Sequence, residues 1–383
     1  SQFPGQVLRV YIWRRELLEV EIDDLLRYKL SDPTGLITGD GRTGSIAVVT
    51  GTDATGALVE CFGPGRTAIG YDAAADRHGL VVAPDVANLA TAATPSNAGT
   101  VTLRAATDPT GFLQAIAIVG DDTEGRTWAG MTLGTAAPVY VQWLARADVA
   151  HDAVVNVVDA GGGVVDAHAY SLTTTWQVFA ATLAWDGSTG GVGGVRFAPS
   201  DDGTDRTVYL SPLVCVSLAQ PPAGVIPIGS PGPPTPTPDV SALTAQASHE
   251  GELRTEASHR DADAVLADLS NGADDDDRRV IRWEAAGPTV ATDHYDATGT
   301  GDSTAAIATA VDPTAPYEAS LRWNRAGVFG GGFAVARTDQ AGVETDTGRA
   351  ATFDASAVPL ERLDVGHSAG ADVLAGLVYE VAI

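Results

Sequence analysis

Apolar and polar residues alternate along most of the chain with a period of two, the pattern of strands with one buried face. Tyr317, Ala319, Leu321 and Trp323 alternate with Glu318, Ser320 and Arg322, and Ile281 and Trp283 alternate with Arg282 and Glu284. Val7–Trp13 and Ser45–Thr50 read as strands near the start. Arg14–Leu30 fits either period: Leu18, Val20 and Ile22 alternate with acids, while Leu18, Ile22, Leu25 and Leu26 also share a helical face. From residue 101 the strands become regular. Val101–Arg104, Leu113–Val119, Val139–Ala145, Val154–Val158, Trp176–Trp185, Val195–Phe197 and Val208–Leu218 are separated by clusters of Gly, Asp, Pro and Ser. Short strands at that spacing predict an antiparallel sandwich. Gly251–Ser258 and Val265–Leu269 open a second β unit.

Between the two units lies a proline-dense stretch, residues 219–244. Proline lacks a backbone donor and fixes φ, which excludes helix and central strand. The expected fold is mainly β: tandem antiparallel β-sandwiches of jelly-roll type joined by a Pro-rich linker, with a small N-terminal β-rich module. The expected boundaries are 1–65 for the module, 66–220 for the first sandwich, 221–244 for the linker and 245–383 for the second sandwich. Residues 66–100 read as transitional.

Composition narrows the partners. The formal charge of −26 would be repelled by a phosphate backbone, so nucleic-acid binding is not expected. Lys29 is the sole lysine; the acid excess fits either a saline habitat or the solubility of a large assembly. No run of 18 apolar residues occurs, so no membrane insertion by a helix is expected. Cys61 and Cys215 are too few for a disulfide framework, and both are expected as free thiols.

Several segments resemble a family of bacteriophage fibre and minor tail proteins. They are Gly65–Asp72 with His78–Val82, Val139–Ala147, Thr174–Phe179, Val208–Leu213 and the closing Gln220–Gly229. That family's domain is a jelly roll related in shape to carbohydrate-binding modules. This chain departs from its pattern at Ser211-Pro212 and Ser217-Leu218. The tail, Leu363–Gly370 and Leu374–Val381, resembles the last strands of a concanavalin/laminin-G-like sandwich. The resemblance implies a virion structural protein (tail fibre, spike or minor tail component) on the particle surface. Residues 1–65 would contact other virion proteins, and the protein would be a homo-oligomer. The sandwiches would contact host-surface polysaccharide or lipopolysaccharide. A capsid or tail decoration protein without a receptor, a polysaccharide depolymerase and a cellular adhesin are the alternatives.

Candidate chemistry is sparse. Gly39–Gly44 matches the dinucleotide fingerprint in letters, yet a strand follows it where a helix is needed. Gly366-His367-Ser368-Ala369-Gly370 matches the nucleophile elbow, but no histidine follows the serine as that fold's order requires. No enzyme and no cofactor is expected. His294, Tyr295 and Asp296, read as a loop among turn residues, are the candidate glycan contacts. Asp274 and Asp276, with Asp201 and Asp205, are candidate ligands of a structural calcium, although neither run has EF-hand spacing.

Overall fold

The computed structural model describes residues 41–111, 113–232, 250–271, 278–286, 289–295, 301–308, 311–324, 333–346, 360, 362–368 and 372–382. Their regular structure is almost entirely strand, in antiparallel sheets that stack as tandem sandwiches. The expectations at Val7–Trp13 and Arg14–Leu30 lie outside the described residues.

The first sandwich pairs two five-stranded sheets. One contains β5 (Thr94–Ala98), β8 (Gly125–Thr132), β10 (His151–Asp159), β11 (Val164–Leu172) and β13 (Val192–Ala198), in the order β11-β10-β13-β8-β5. The other contains β6 (Thr100–Thr107), β7 (Gln114–Gly120), β9 (Ala137–Ala147), β12 (Gln177–Trp185) and β14 (Arg206–Ser217), in the order β12-β9-β14-β7-β6. Between them lies a core of Trp143, Phe197, Trp128, Val141, Val155, Val208 and Leu210, among others. Trp143 meets Phe197 edge-on and stacks on Phe179, with ring centroids 5.5 Å apart in both pairs.

In a free-standing sandwich the other side of β9 and β14 would face water. Here Leu144 and Cys215, which point that way, are both fully buried. They are covered by a three-stranded sheet ordered β15-β1-β2, made of β1 (Ser45–Asp53), β2 (Gly56–Phe62) and β15 (Val225–Ile228). Ala47, Ala57, Val59 and Ile226 from this sheet pack with Leu144, Cys215 and Trp176. The opposite face of β1 carries Ile46 and Val48, which pack with Val81, Ala83, Val225 and Leu377. The first half of strand β1 is therefore buried on both faces: Ile46, Ala47 and Val48 alternate between two interfaces rather than between core and solvent, while Thr52 and Asp53 at its end are exposed.

The second sandwich has a five-stranded sheet, β20-β19-β18-β17-β24, and a seven-stranded one. The former comprises β17 (Ala264–Ser270), β18 (Arg279–Glu284), β19 (Thr289–Tyr295), β20 (Gly301–Ala308) and β24 (Arg362–Val365). The latter includes β16 (Glu250–His259), β21 (Tyr317–Asn324), β22 (Phe333–Gln340), β23 (Val343–Asp346) and β25 (Gly376–Ala382). Its last two strands come from far upstream: β3 (Ile69–Asp72) and β4 (Arg77–Val82). Val82, Val81 and Leu80 of β4 pair with Gly376, Leu377 and Val378 of β25. Strand pairing thus crosses the expected division at residues 66 and 245.

The proline-dense stretch also begins later than expected. Val225–Ile228, placed in the linker by the sequence reading, is strand β15. Its position at a sheet edge accommodates Pro227, which has no N–H to donate on the outer side. The following turn is tied in as well: Thr43 and Gly44 donate backbone N–H groups to the Pro231 carbonyl at 2.9 Å, and Gly232 donates to Asp85 at 3.0 Å. Residues 233–249 lie outside the described residues.

One buried amide ties the layers together. Asn88 donates from Nδ2 to the carbonyls of Val214 (2.8 Å) and Pro227 (2.7 Å), and its Oδ1 accepts from the N–H groups of Ala90 (3.0 Å) and Val216 (3.1 Å). Replacing Asn88 by Ala strands buried backbone groups, each costing about 1–3 kcal/mol when left unpaired. Asn88→Ala should lower the urea midpoint with an unchanged m-value, whereas a midpoint within error of wild type would show the amide to be dispensable.

The two thiols are unpaired; Cys61 is exposed and Cys215 buried. Burial pushes the Cys215 thiol up to about 12, and burial followed by the Asp108 carboxylate also raises Cys61. Thiolate is the reactive form. Alkylation of the native protein at pH 8 should therefore label Cys61 slowly and leave Cys215 unlabelled until urea unfolds the chain.

Candidate functional site

Two arrangements of polar side chains stand out, both on the five-stranded sheet of the second sandwich. The first is an open cleft of about 280 Å³ at the rim, lined by Asp263, Ala264, Val265, Arg282, Trp283, Glu284, Ala286 and Asp372. Strands β17 and β18 build it, with Ala264 opposite Trp283 and Val265 opposite Arg282. A bulge between Val265 and Ala267 bends the strand there. Trp283 is buried beneath the cleft and donates its indole N–H to Asp261 Oδ1 at 2.9 Å. Asp263 Oδ1 accepts the Ala285 N–H at 2.8 Å, which fixes the turn that follows β18. Arg282 pairs with Glu284 at 2.9 Å. Asp372 holds the third side through its carbonyl, which accepts the Val265 N–H at 2.9 Å. Its φ of 47° lies in the left-handed region that Asp tolerates better than most residues. Three carboxylates against one guanidinium leave the cleft negative.

The second arrangement is buried. Asp268 on β17 and Asp364 on β24 are direct cross-strand partners, and both are shielded from solvent. Arg278 donates to Asp268 Oδ2 at 2.7 Å and to Ser368 Oγ at 2.6 Å; Arg362 donates from Nε to Asp364 Oδ1 at 2.8 Å. His367 Nδ1 lies 3.8 Å from Asp364 Oδ2. Ser368, the serine of the elbow-like pentapeptide, is thus a partner in an ion-pair cluster. Among the described residues it lies between strands β24 and β25, with no helix following as a nucleophile elbow requires. Burial raises the Asp268 carboxyl above the ordinary range although Arg278 pulls the other way.

Of the residues singled out from sequence, the described ones fall in two separate places. His294 and Tyr295 belong to the end of strand β19, where His294 pairs with Arg279 on one side and Ser303 on the other; the expected loop there is a ladder. Asp296, Asp274 and Asp276 lie outside the described residues. Asp201 and Asp205 are exposed in the β13–β14 turn. The turn is organised by Asp202 instead: it accepts from Ser200 Oγ (2.7 Å) and the Thr204 N–H (3.0 Å), which with Arg206 hold its carboxyl down at about 2. Among the described residues, no three His, Cys, Asp or Glu side chains converge as metal ligands would. Gly41 and Arg42 of the fingerprint-like run precede strand β1. Arg42 is buried and donates to the Arg66 carbonyl at 2.5 Å.

Sequence reading missed the cleft. Asp263, Arg282 and Glu284 each look like ordinary solvent-facing residues of short strands. Only the approach of Asp372, more than 80 residues further on, makes a concavity of them. The Asp268–Asp364 pair was equally hidden, because Val265–Leu269 reads as apolar strand with one polar interruption.

No family model and no curated protein matches the chain. Among solved structures it is similar to a carbohydrate-binding module titled "CBM4 structure and function", at 20% identity over 28% of this chain and 72% of that one, with a TM-score of 0.23. It is also similar to domains LG4-5 of the mouse laminin alpha1 chain, at 11% identity over 69% of this chain and 87% of that one, with a TM-score of 0.26. Both scores are too low to argue from, and the β-sandwich fold rests on the sheets themselves. No helix among the described residues is long and apolar enough to cross a membrane.

The buried cluster has a measurable role in stability. Removing one partner of a buried pair strands the other charge, at about 3–5 kcal/mol. Arg278→Ala should therefore destabilise the second sandwich by that order in urea. Because the folded pKa of Asp268 is raised, its contribution to stability is greatest below the unfolded carboxyl pKa and is lost as pH rises through the folded value. Asp268→Asn should flatten that part of the stability–pH profile; an unchanged profile would show that Asp268 titrates normally.

Proposed function

We propose that this protein is a structural component of a phage particle, a fibre, spike or minor tail protein, that binds host-surface polysaccharide or lipopolysaccharide without turning it over. The observation that carries the binding part is the rim cleft of the second sandwich. Its volume of about 280 Å³ lies near the lower end of the roughly 300–1,000 Å³ range of small-molecule sites, a size suited to one or two sugar units. Its polar lining combines carboxylates with a guanidinium, the planar groups that hydrogen-bond vicinal hydroxyls in pairs. Among the described side chains no Trp, Tyr or Phe is exposed, so hydrogen bonding rather than ring stacking would dominate recognition. The particle assignment is supported by the segments that resemble phage fibre and tail proteins, and the negative net charge fits a role away from nucleic acid. A single site of this kind is weak; many copies on one particle raise avidity without new contacts. Residues 1–65 would provide attachment to the particle, and a calcium ion at the acidic turns remains part of the proposal only as a structural aid.

The full chain is the right probe, because the sheet of the second sandwich includes β3 and β4. Displayed multivalently, it should bind at least one member of a panel of bacterial lipopolysaccharides and capsular polysaccharides. The double variant Asp263→Asn, Asp372→Asn should weaken that binding about tenfold or more, equivalent to roughly 1.4 kcal/mol. No binding to any member would favour the decoration role, and release of reducing ends would favour a depolymerase. Binding unchanged in the double variant would move the site away from the cleft.

A further inference from the structure

The strongest contacts between the two halves of the chain bypass residues 233–249. Hairpin β3–β4 precedes the first sandwich in sequence yet completes the sheet of the second. Leu80 and Val82 enter that sandwich's core beside Leu253, Ala257, Leu374 and Val378. On the hairpin's other face, Val81 joins Ile46, Val48, Val225 and Leu377. Close approach of the hairpin depends on glycine at position 79, where a side chain would meet the Val378 carbonyl at 3.0 Å.

Polar groups lock the same seam. Arg77 forms a two-pronged ion pair with Glu256, one prong at 2.9 Å, and its guanidinium lies 4.5 Å from the centre of the Tyr379 ring. The Tyr379 hydroxyl donates to Asp72 Oδ2 at 2.6 Å and shares a 2.6 Å hydrogen bond with Ser258 Oγ. Arg260 reaches back to the Gln220 carbonyl at 2.8 Å. The β4–β25 pairing, the Arg77–Glu256, Tyr379–Asp72 and Arg260–Gln220 bonds, and the packing of Leu80 and Val82 in the core and of Val81 beside Leu377 each join residues before 221 to residues after 250.

We propose that β3–β4 is an internal strand clasp that holds the second sandwich to the rest of the protein, and that the covalent connection through residues 233–249 is not needed to keep the halves together once folded. A protein exposed outside cells would then keep its second sandwich after a protease cut in that connection. The clasp stands on the sheet geometry alone and is independent of what the rim cleft binds.

The test uses the full chain with a specific protease sequence inserted after Pro236. After cutting, confirmed on a denaturing gel, the nicked protein should elute under native conditions with the same mass as the uncut protein. The two fragments should part only across the urea range in which the protein unfolds. Two variants probe the seam itself. Val81→Asp should make the nicked protein separate into two species while the uncut protein stays whole. Should that substitution prevent folding, the surface pair Arg77→Ala, Glu256→Ala provides the second measure: the nicked form should dissociate on dilution at a concentration at least tenfold higher than the nicked parent. Separation of the nicked parent without denaturant would overturn the clasp. So would nicked seam variants that hold together as firmly as the parent.

Discussion

Strand β1 can bury both of its faces only if a sandwich stands on each side of it, and this constraint organises the molecule. Ala47 looks toward β9 and β14 of the first sandwich, while Ile46 and Val48 look toward Val81 and Leu377 of the second. Each fully buried Val or Ile side chain contributes about 1.5–3 kcal/mol relative to exposure. A sheet of three short strands needs an apolar face packed against something to be stable, and this one has two. Wedged between two sandwiches it is stable, and in return it covers the outward side chains Leu144 and Cys215. The hairpin β3–β4 and the Asn88 amide extend the same arrangement, so the chain runs back and forth between layers instead of completing one domain before starting the next.

This interleaving bears on function through position. The rim cleft is built from β17, β18 and the segment preceding β25, and β25 is the strand that pairs with β4. Asp372 is thus carried four residues ahead of the strand on which the two halves meet. Through the segment that carries Asp372, the cleft on the five-stranded sheet is joined in the chain to the seven-stranded sheet, whose outer strands β3 and β4 come from far upstream. The buried ion pairs of Asp268 and Asp364 lie on the five-stranded sheet with the cleft, and their cross-strand placement fixes the register of β24 against β17.

Much of the architecture was legible in the sequence. The alternation at Tyr317–Trp323 and at Ile281–Glu284 corresponds to strands whose inner residues, Leu321, Trp323, Ile281 and Trp283, are core. The regular strands from residue 101 correspond to the first sandwich. What could not be read is partnership. Leu80-Val81-Val82 is a short apolar run that reveals burial on two faces but not that its partner lies nearly 300 residues away. Strand β15 was concealed by Pro227, which signals linker to any reading that lacks the sheet edge beside it. Strand β11 was missed because its middle, Ala167, His168 and Ala169, carries no large apolar residue: it is an edge strand with much of its surface in solvent. The candidate site failed to appear for a related reason. His294 and Tyr295 stand among turn-forming residues, yet ladder partners on both sides of His294 and on one side of Tyr295 hold them in a strand, whereas the cleft arises where residues ordinary in themselves converge.

The central claim, that two sandwiches and the sheet between them form one cooperative body, is tested most directly by native-state hydrogen exchange of the full chain. Peptides covering 45–53, 77–82 and 376–382 report the layers on which the claim depends. The account predicts that their slowest amides exchange with the same opening free energy as those of β9 and β21, in the two cores, and that all fall together as urea is added. Exchange of 77–82 and 376–382 through a separate, lower-energy opening, with the first sandwich still protected, would contradict it.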